Sequence, residues 1–243
     1  MSELEIEERS SPNHGERFAP IDILLLHYTG MPDDEAALAW LRNAESKVSS
    51  HYFVHKNGRV FRLVPEERRA WHAGLSQWGG VSDINSRSIG IEIANGGHPG
   101  GLPDYPKLQI DAAIALCRQI LSRHAIPQHR VLGHSDVAPG RKIDPGERFP
   151  WARLAAEGIG HFVEPAPQDD GRTLRPTDHG ERVEALQAML ALYGYGIEVT
   201  GEFDRKTENV VAAFQRHFRQ AQVDGIADGS TQGTLQRLLA ALP

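Results

Sequence analysis

The chain has 243 residues, 40% of them hydrophobic and 24% charged, with a formal net charge of −6. That describes a globular protein with room for one large or two small domains. The acidic balance, with no basic run interleaved with aromatics, argues against a nucleic-acid partner. No apolar window of about 18 residues predicts membrane insertion, and a single cysteine, Cys117, excludes a disulfide framework within the chain.

Residues 1–20, "MSELEIEERSSPNHGERFAP", are polar and acidic, without a basic n-region or an apolar h-region. The expectation is an N-terminal extension over 1–19 on a cytoplasmic protein, or on a periplasmic one if an export signal is missing. "IDILLLHY", residues 21–28, then predicts a buried strand that ends at His27 and Tyr28. "DDEAALAWLRNA" has helical spacing, and in "SSHYFVHKNGRVFRLV" two alternating apolar runs flank Asn57-Gly58, which predicts a hairpin. "RSIGIEIAN" predicts a second buried strand with Ile89, Ile91 and Ile93 on one face and Gly90, Glu92 and Ala94 on the other. A long helix is expected over 106–124, its Ile110, Ile114, Cys117 and Leu121 in step, so Cys117 reads as a packed core thiol. "HRVLGH" predicts a last strand that delivers His134 to "HSDVAPGRKID", residues 134–144, which reads as an irregular loop because Pro139 and Gly140 break either periodicity. Strands alternating with helices and one hairpin predict an α/β domain with a mixed central sheet, covering residues 1–163 with its extension.

Residues 164–175, rich in Pro and Asp, predict a linker. Beyond it, Val183, Leu186, Leu190 and Tyr193 fit one helix face, Val211, Phe214 and Phe218 a second, and Leu235, Leu238 and Leu239 a third. Residues 176–243 are therefore expected to form a small all-α domain.

Two predicted strands end in histidines, His27 and His134, and Asp144 follows His134 by ten residues. Brought to one point, these three make a zinc set that leaves a fourth position open, the arrangement of catalytic sites. The competing reading is an ion-paired loop beside unrelated histidines. Glu92 stands on a strand otherwise made of Ile, Gly and Ala, where an unpaired carboxylate is expensive. It is either paired to Lys142 or an arginine, or it moves protons between an attacking water and a leaving amine. Lys142 has the charge to steady a developing oxyanion, while Asp136 and Arg141 read as residues that brace the loop.

Four stretches in order, "LLLHYTG", "VSSHYFVHKNGRVFRLVPEERRAWHAG", "NSRSIGIEIAN" and "GHSDVAPGRKIDPG", resemble the zinc-dependent N-acetylmuramoyl-L-alanine amidases. That family includes the bacterial amidases of murein recycling and shares its fold with lysozyme-like phage amidases and peptidoglycan recognition proteins. The resemblance implies one zinc held by His27, His134 and Asp144, with Glu92 as the acid/base and Lys142 as the oxyanion stabiliser. Tyr28, His51, Trp71, His72 and Asn95 lie within the same stretches and are expected to line the cleft. In the C-terminal part, "LQ", "YGY", "GEFD", "AFQ" and "DGIAD" resemble the three-helix peptidoglycan-binding module, the alternative being a structural helical cap on the catalytic domain. The partners implied are peptidoglycan or muropeptides. Within this resemblance, a non-catalytic peptidoglycan-binding receptor is the alternative to an enzyme. Anhydro-muropeptides and intact sacculus are the alternative substrates.

Overall fold

The structure, a computed structural model, describes residues 4–168 and 173–242. Its N-terminal stretch is not a loose extension, because β1 (Ile6–Glu8) and β2 (His14–Gly15) both pair with other strands. Leu4 and Ile6 pack on the core between acidic neighbours, an apolar alternation too short to stand out in the sequence. There follow β3 (Ile23–Tyr28), α1 (Asp34–Arg42), the hairpin of β4 (Tyr52–Val54) and β5 (Val60–Arg62), β6 (Arg69–Ala70), α2 (Ile84–Arg87), β7 (Ser88–Ile93), α3 (Lys107–Arg123), β8 (Val131–Gly133), one turn of helix α4 (His134–Val137) and α5 (Trp151–Ala156).

Six strands form one mixed sheet in the order β1-β5-β4-β7-β3-β8, while β2 and β6 pair separately. Within the six, only the β4–β5 hairpin is antiparallel. The four strands β4, β7, β3 and β8 therefore end on one edge, where ligands are bound in open α/β sheets. One face carries Leu24, Leu26, Ile89, Ile91 and Ile93 against Ile110, Ile114 and Cys117 of α3, as the spacing predicts. On the other face the register sets Leu25 beside Gly90 and His27 beside Glu92.

Residues 134–137 depart from the expected irregular loop. The Asp136 carboxylate accepts the Gly133 N–H at 2.8 Å, and this bond closes the first turn of α4 over a residue three positions back.

The C-terminal part consists of α6 (Glu181–Tyr193), α7 (Arg205–Phe218) and α8 (Gly229–Ala240), with the predicted apolar faces buried except for Leu239, which is partly buried. Its motif residues build two similar corners. Gln187 accepts the N–H groups of Thr200 and Gly201 and donates to the Glu202 carbonyl and the Thr207 hydroxyl. Gln215 does the same with Asp224, Gly225, Ile226 and Thr231. Asp204 and Asp228 then cap the helices that follow.

Four residues of the expected linker, 169–172, lie outside the described residues. The regions flanking it share one apolar cluster, in which Trp78, Leu132 and Val137 meet Leu186, Tyr193, Tyr195 and Phe214. Gly194 lies under Trp78, where a Cβ would come within 2.6 Å of the indole ring, so the central glycine of "YGY" permits this docking.

Candidate metal centre and cleft

The parallel strand ends bring the chemistry together. His27, next to last in β3, and His134, directly after β8, meet Asp144, and all three are buried. The two Nδ1 atoms are 2.9 Å apart, and each is 3.0 Å from Asp144 Oδ2.

The surrounding hydrogen bonds fix the tautomers. The Ser88 hydroxyl donates to the Ile84 carbonyl at 2.7 Å, so its oxygen accepts the Nε2–H of His72 at 3.2 Å. The free Nδ1 of His72 then accepts the Nε2–H of His27 at 3.0 Å. His134 donates its Nε2–H to the Ala73 carbonyl at 3.0 Å. Both Nδ1 atoms consequently present lone pairs, and a carboxylate oxygen is the third member. Three acceptors in contact with no proton between them repel one another unless a cation lies among them. The donors of a tetrahedral zinc site lie roughly 3.3 Å apart, so the set fits such an ion, and the carbonyl and His72 supply the outer hydrogen bonds that such ligands require.

Burial first, and the neighbouring His134 second, push His27 down to about 4, which keeps its imidazole neutral and its Nδ1 lone pair available. Burial, and next the Asp144 charge, hold the Glu92 carboxyl well above its usual value, with Lys142 pulling the other way. Glu92 Oε2 is buried and has no hydrogen-bond partner among the described residues. Glu92 is thus not the ion-paired carboxylate of the competing reading. The Lys142 ammonium likewise takes part in no hydrogen bond or ion pair among the described residues, and Lys142 lines the same cleft.

That cleft has a volume of about 270 Å³, and its lining combines Glu92, His134, Lys142 and Asp144 with the apolar Ala37, Trp40, Leu41, Val48 and Trp71. Tyr28 and His72 also face it, as expected, and the Tyr28 hydroxyl contacts His98 Nδ1 at 3.0 Å. His72 has both ring nitrogens engaged, so it orients His27. Two expected lining residues lie elsewhere. His51 is fully buried, accepts the Gly90 N–H at 2.9 Å, bonds the Arg68 carbonyl and is pushed by burial down to about 3. Asn95 is buried, donates to the Pro103 carbonyl and accepts the Gly97 N–H. Both are corrections to the sequence expectation, since neither is among the residues that line the cleft: His51 ties β7 to the turn at Arg68, and Asn95 shapes the turn after β7. Arg141 braces its loop as expected, donating to the Ala73 and Leu75 carbonyls.

Sequence reasoning missed Ser88 and Gly90. A Cβ at Gly90 would come within 2.5 Å of the His72 ring, so this glycine makes room for the histidine that orients His27. A small residue facing inward on a buried strand is the signal that points to it. The lip residue Trp40, half exposed on α1, was visible as an aromatic out of step with the buried Ala37, Leu38 and Leu41.

Comparison with known proteins adds to this geometry. Residues 17–147 match the N-acetylmuramoyl-L-alanine amidase family, and residues 179–241 match a peptidoglycan binding domain. The chain belongs to the N-acetylmuramoyl-L-alanine amidase family. It is 37% identical over 231 residues to N-acetylmuramoyl-L-alanine amidase AmiD of Escherichia coli, covering 90% of this chain and 82% of the relative. A solved complex of AmiD with the substrate anhydro-N-acetylmuramic acid-L-Ala-D-gamma-Glu-L-Lys superposes with a TM-score of 0.76, covering 95% and 90% of the two chains. AMPDH3 of Pseudomonas aeruginosa, solved with anhydromuramic pentapeptide, is 34% identical with a TM-score of 0.74, covering 94% and 93%. The 1,6-anhydro-N-acetylmuramyl-L-alanine amidase AmpD of E. coli is 35% identical over 127 residues, covering 52% of this chain and 67% of the relative. The amidase is therefore a hydrolase of the bond between N-acetylmuramoyl and L-alanine, and the receptor alternative gives way. Among the described residues, no helix of the amidase is long and apolar enough to cross a membrane.

Proposed function

We propose that the amidase is zinc-dependent, with His27, His134 and Asp144 as ligands, and that it cleaves anhydro-muropeptides between the muramoyl lactyl group and L-alanine. The observation that carries this reading is the set of three converging lone pairs beside an unpartnered carboxyl and an unpartnered ammonium. A zinc ion held there supplies Lewis acidity toward the scissile carbonyl and acidifies water. Glu92 takes the proton of the attacking water and returns it to the departing amine, and its raised proton affinity suits a group that must do both. Lys142 reaches into the cleft where the carbonyl oxygen gains charge and steadies it. Trp40, Val48 and Trp71 form an apolar wall for the substrate, with Tyr28 at its edge. His72 keeps the His27 tautomer that ligation requires. Substrate of the anhydro form is supported by the AmiD and AMPDH3 complexes, both of which span nearly the whole of this fold.

Within this reading, residues 1–163 are the catalytic domain, 164–175 the linker and 176–243 a peptidoglycan-binding domain that tethers the enzyme to polymer. The test pairs metal analysis with product chromatography on anhydro-N-acetylmuramyl tripeptide and on intact sacculi. One zinc per chain, release of free tripeptide, and loss of both in His134→Ala are expected. A fully active, metal-free His134→Ala protein overturns the zinc reading. Turnover of sacculi alone overturns the substrate.

A further inference from the structure

The C-terminal helices reach the metal-binding turn through one buried carboxylate. Asp136 has no solvent exposure and accepts three hydrogen bonds. One is local, from the Gly133 N–H at 2.8 Å. The other two come from the C-terminal part, the Tyr195 hydroxyl donating to Oδ1 at 2.8 Å and the His217 Nδ1–H donating to Oδ2 at 2.7 Å. The His217 ring is stacked on Trp151 at 3.7 Å and on Phe218 at 3.8 Å, and the Tyr195 ring stands edge-on to Trp78 at 4.9 Å. Both donors are therefore locked in place by rings from both parts of the chain.

We infer that Tyr195 and His217 are positioning residues for the metal centre: by saturating Asp136 they hold its carboxylate over the Gly133 N–H and so fix where β8 delivers His134. Asp136 without them retains a single partner in a buried site, and a carboxylate so placed turns toward water. The bond that closes the first turn of α4 is then released at the residue before the ligand. His27 is held separately, by β3 and by the chain through His72 to Ser88, so the effect falls on one ligand of the three. The proposal rests on the metal reading above for its consequence, but its geometric part, the Gly133 bond, stands without it.

The experiment uses full-length Tyr195→Phe, His217→Leu and His217→Asn. Asparagine places an amide N–H close to where the imidazole Nδ1–H lies, so it serves as the conservative replacement. Tyr193→Phe, which removes only a hydroxyl in contact with His161, loosens the same interface without touching Asp136. Zinc affinity is measured by competition with a chromophoric chelator at a temperature where each variant shows the wild-type near-ultraviolet spectrum. Amide exchange at Gly133 is followed by NMR in the metal-free proteins. Tyr195→Phe and His217→Leu are expected to weaken zinc binding about 5- to 10-fold, the scale of one lost hydrogen bond behind a ligand, and to speed Gly133 exchange. His217→Asn should stay within about twofold of wild type on the same scale, and Tyr193→Phe should change neither quantity. Unchanged Gly133 exchange in Tyr195→Phe and His217→Leu, or zinc loss that tracks melting temperature equally in all four variants, overturns the proposal. Absence of zinc binding in the wild type instead overturns the metal reading, and Gly133 exchange then decides the positioning role alone.

Discussion

Asp136 and Asp144 lie on one short segment, both buried, in opposite surroundings. Asp136 receives three donors, and both of its carboxylate oxygens are engaged. Asp144 Oδ2 faces two imidazole lone pairs, and nearby Glu92 Oε2 has no hydrogen-bond partner among the described residues. The first arrangement is complete without any ligand and keeps a shape. The second is electrostatically incomplete and gains a partner only from a metal, a water or a substrate. The contrast separates a structural carboxylate from a chemical one more sharply than burial does, since both residues are nearly inaccessible.

The largest effects are expected on the unsaturated side. His27→Ala and Asp144→Ala should lose the metal and at least about a thousandfold in turnover, because two remaining ligands hold zinc poorly. Glu92→Gln should keep the metal and lower kcat by about 10² to 10⁴. Lys142→Met should lower kcat by about 10² to 10³ with KM little changed, since an oxyanion contact strengthens only as charge develops. Metal analysis and steady-state kinetics on one soluble muropeptide check all of these. Loss of metal in Glu92→Gln breaks the division between ligands and acid/base.

On the saturated side the expected loss is in stability. Asp136→Ala strands the Tyr195 hydroxyl, the His217 N–H and the Gly133 N–H in a dry site, and should cost about 3 kcal/mol in urea denaturation. With excess zinc, its turnover should remain within about tenfold of wild type on the usual scale of acid/base and oxyanion losses. If Asp136→Ala abolishes turnover with stability intact, the contrast between the two aspartates fails.

The two sides also differ in how far the sequence reveals them. His27 and Glu92 were legible because each is a polar residue at a fixed place in a buried apolar strand, and parallel register then sets them side by side. The node at Asp136 was not, because its partners lie 59 and 81 residues away and each looks locally ordinary. "YGY" and "AFQRHF" read as helix-end and helix-face residues, and only docking turns the Tyr195 hydroxyl and the His217 N–H toward one carboxylate. His51 and Asn95 fail for a related reason, since a motif places a residue near a cleft without saying which way its side chain turns. The tail motifs were recognisable, yet Gln187 and Gln215 spend their amides inside the two corners, so those motif residues mark the fold rather than a ligand contact.

The smallest expected effect runs against the rest and tests the unpartnered carboxyl directly. Burial, then the Asp144 charge, raise the Glu92 carboxyl well above 4.5 in the folded protein, whereas in the unfolded chain it ionises near that ordinary value. Between the two values the unfolded state binds fewer protons than the folded state, so the Glu92 contribution lowers stability as pH rises. Glutamine carries no such proton, and in Glu92→Gln this part of the slope disappears. Metal-free Glu92→Gln is therefore expected to exceed metal-free wild type by about 1 kcal/mol at pH 7, the lower end of the cost of an unsatisfied buried group. The difference should close as pH falls toward 4. The same histidines titrate in both proteins, so their contribution cancels in the comparison. Urea denaturation of chelator-treated protein at the two pH values measures it. A Glu92→Gln protein less stable than wild type at pH 7 implies that Glu92 has a stabilising partner in the folded state, and the assignment of proton transfer to an unpaired carboxyl then loses its basis.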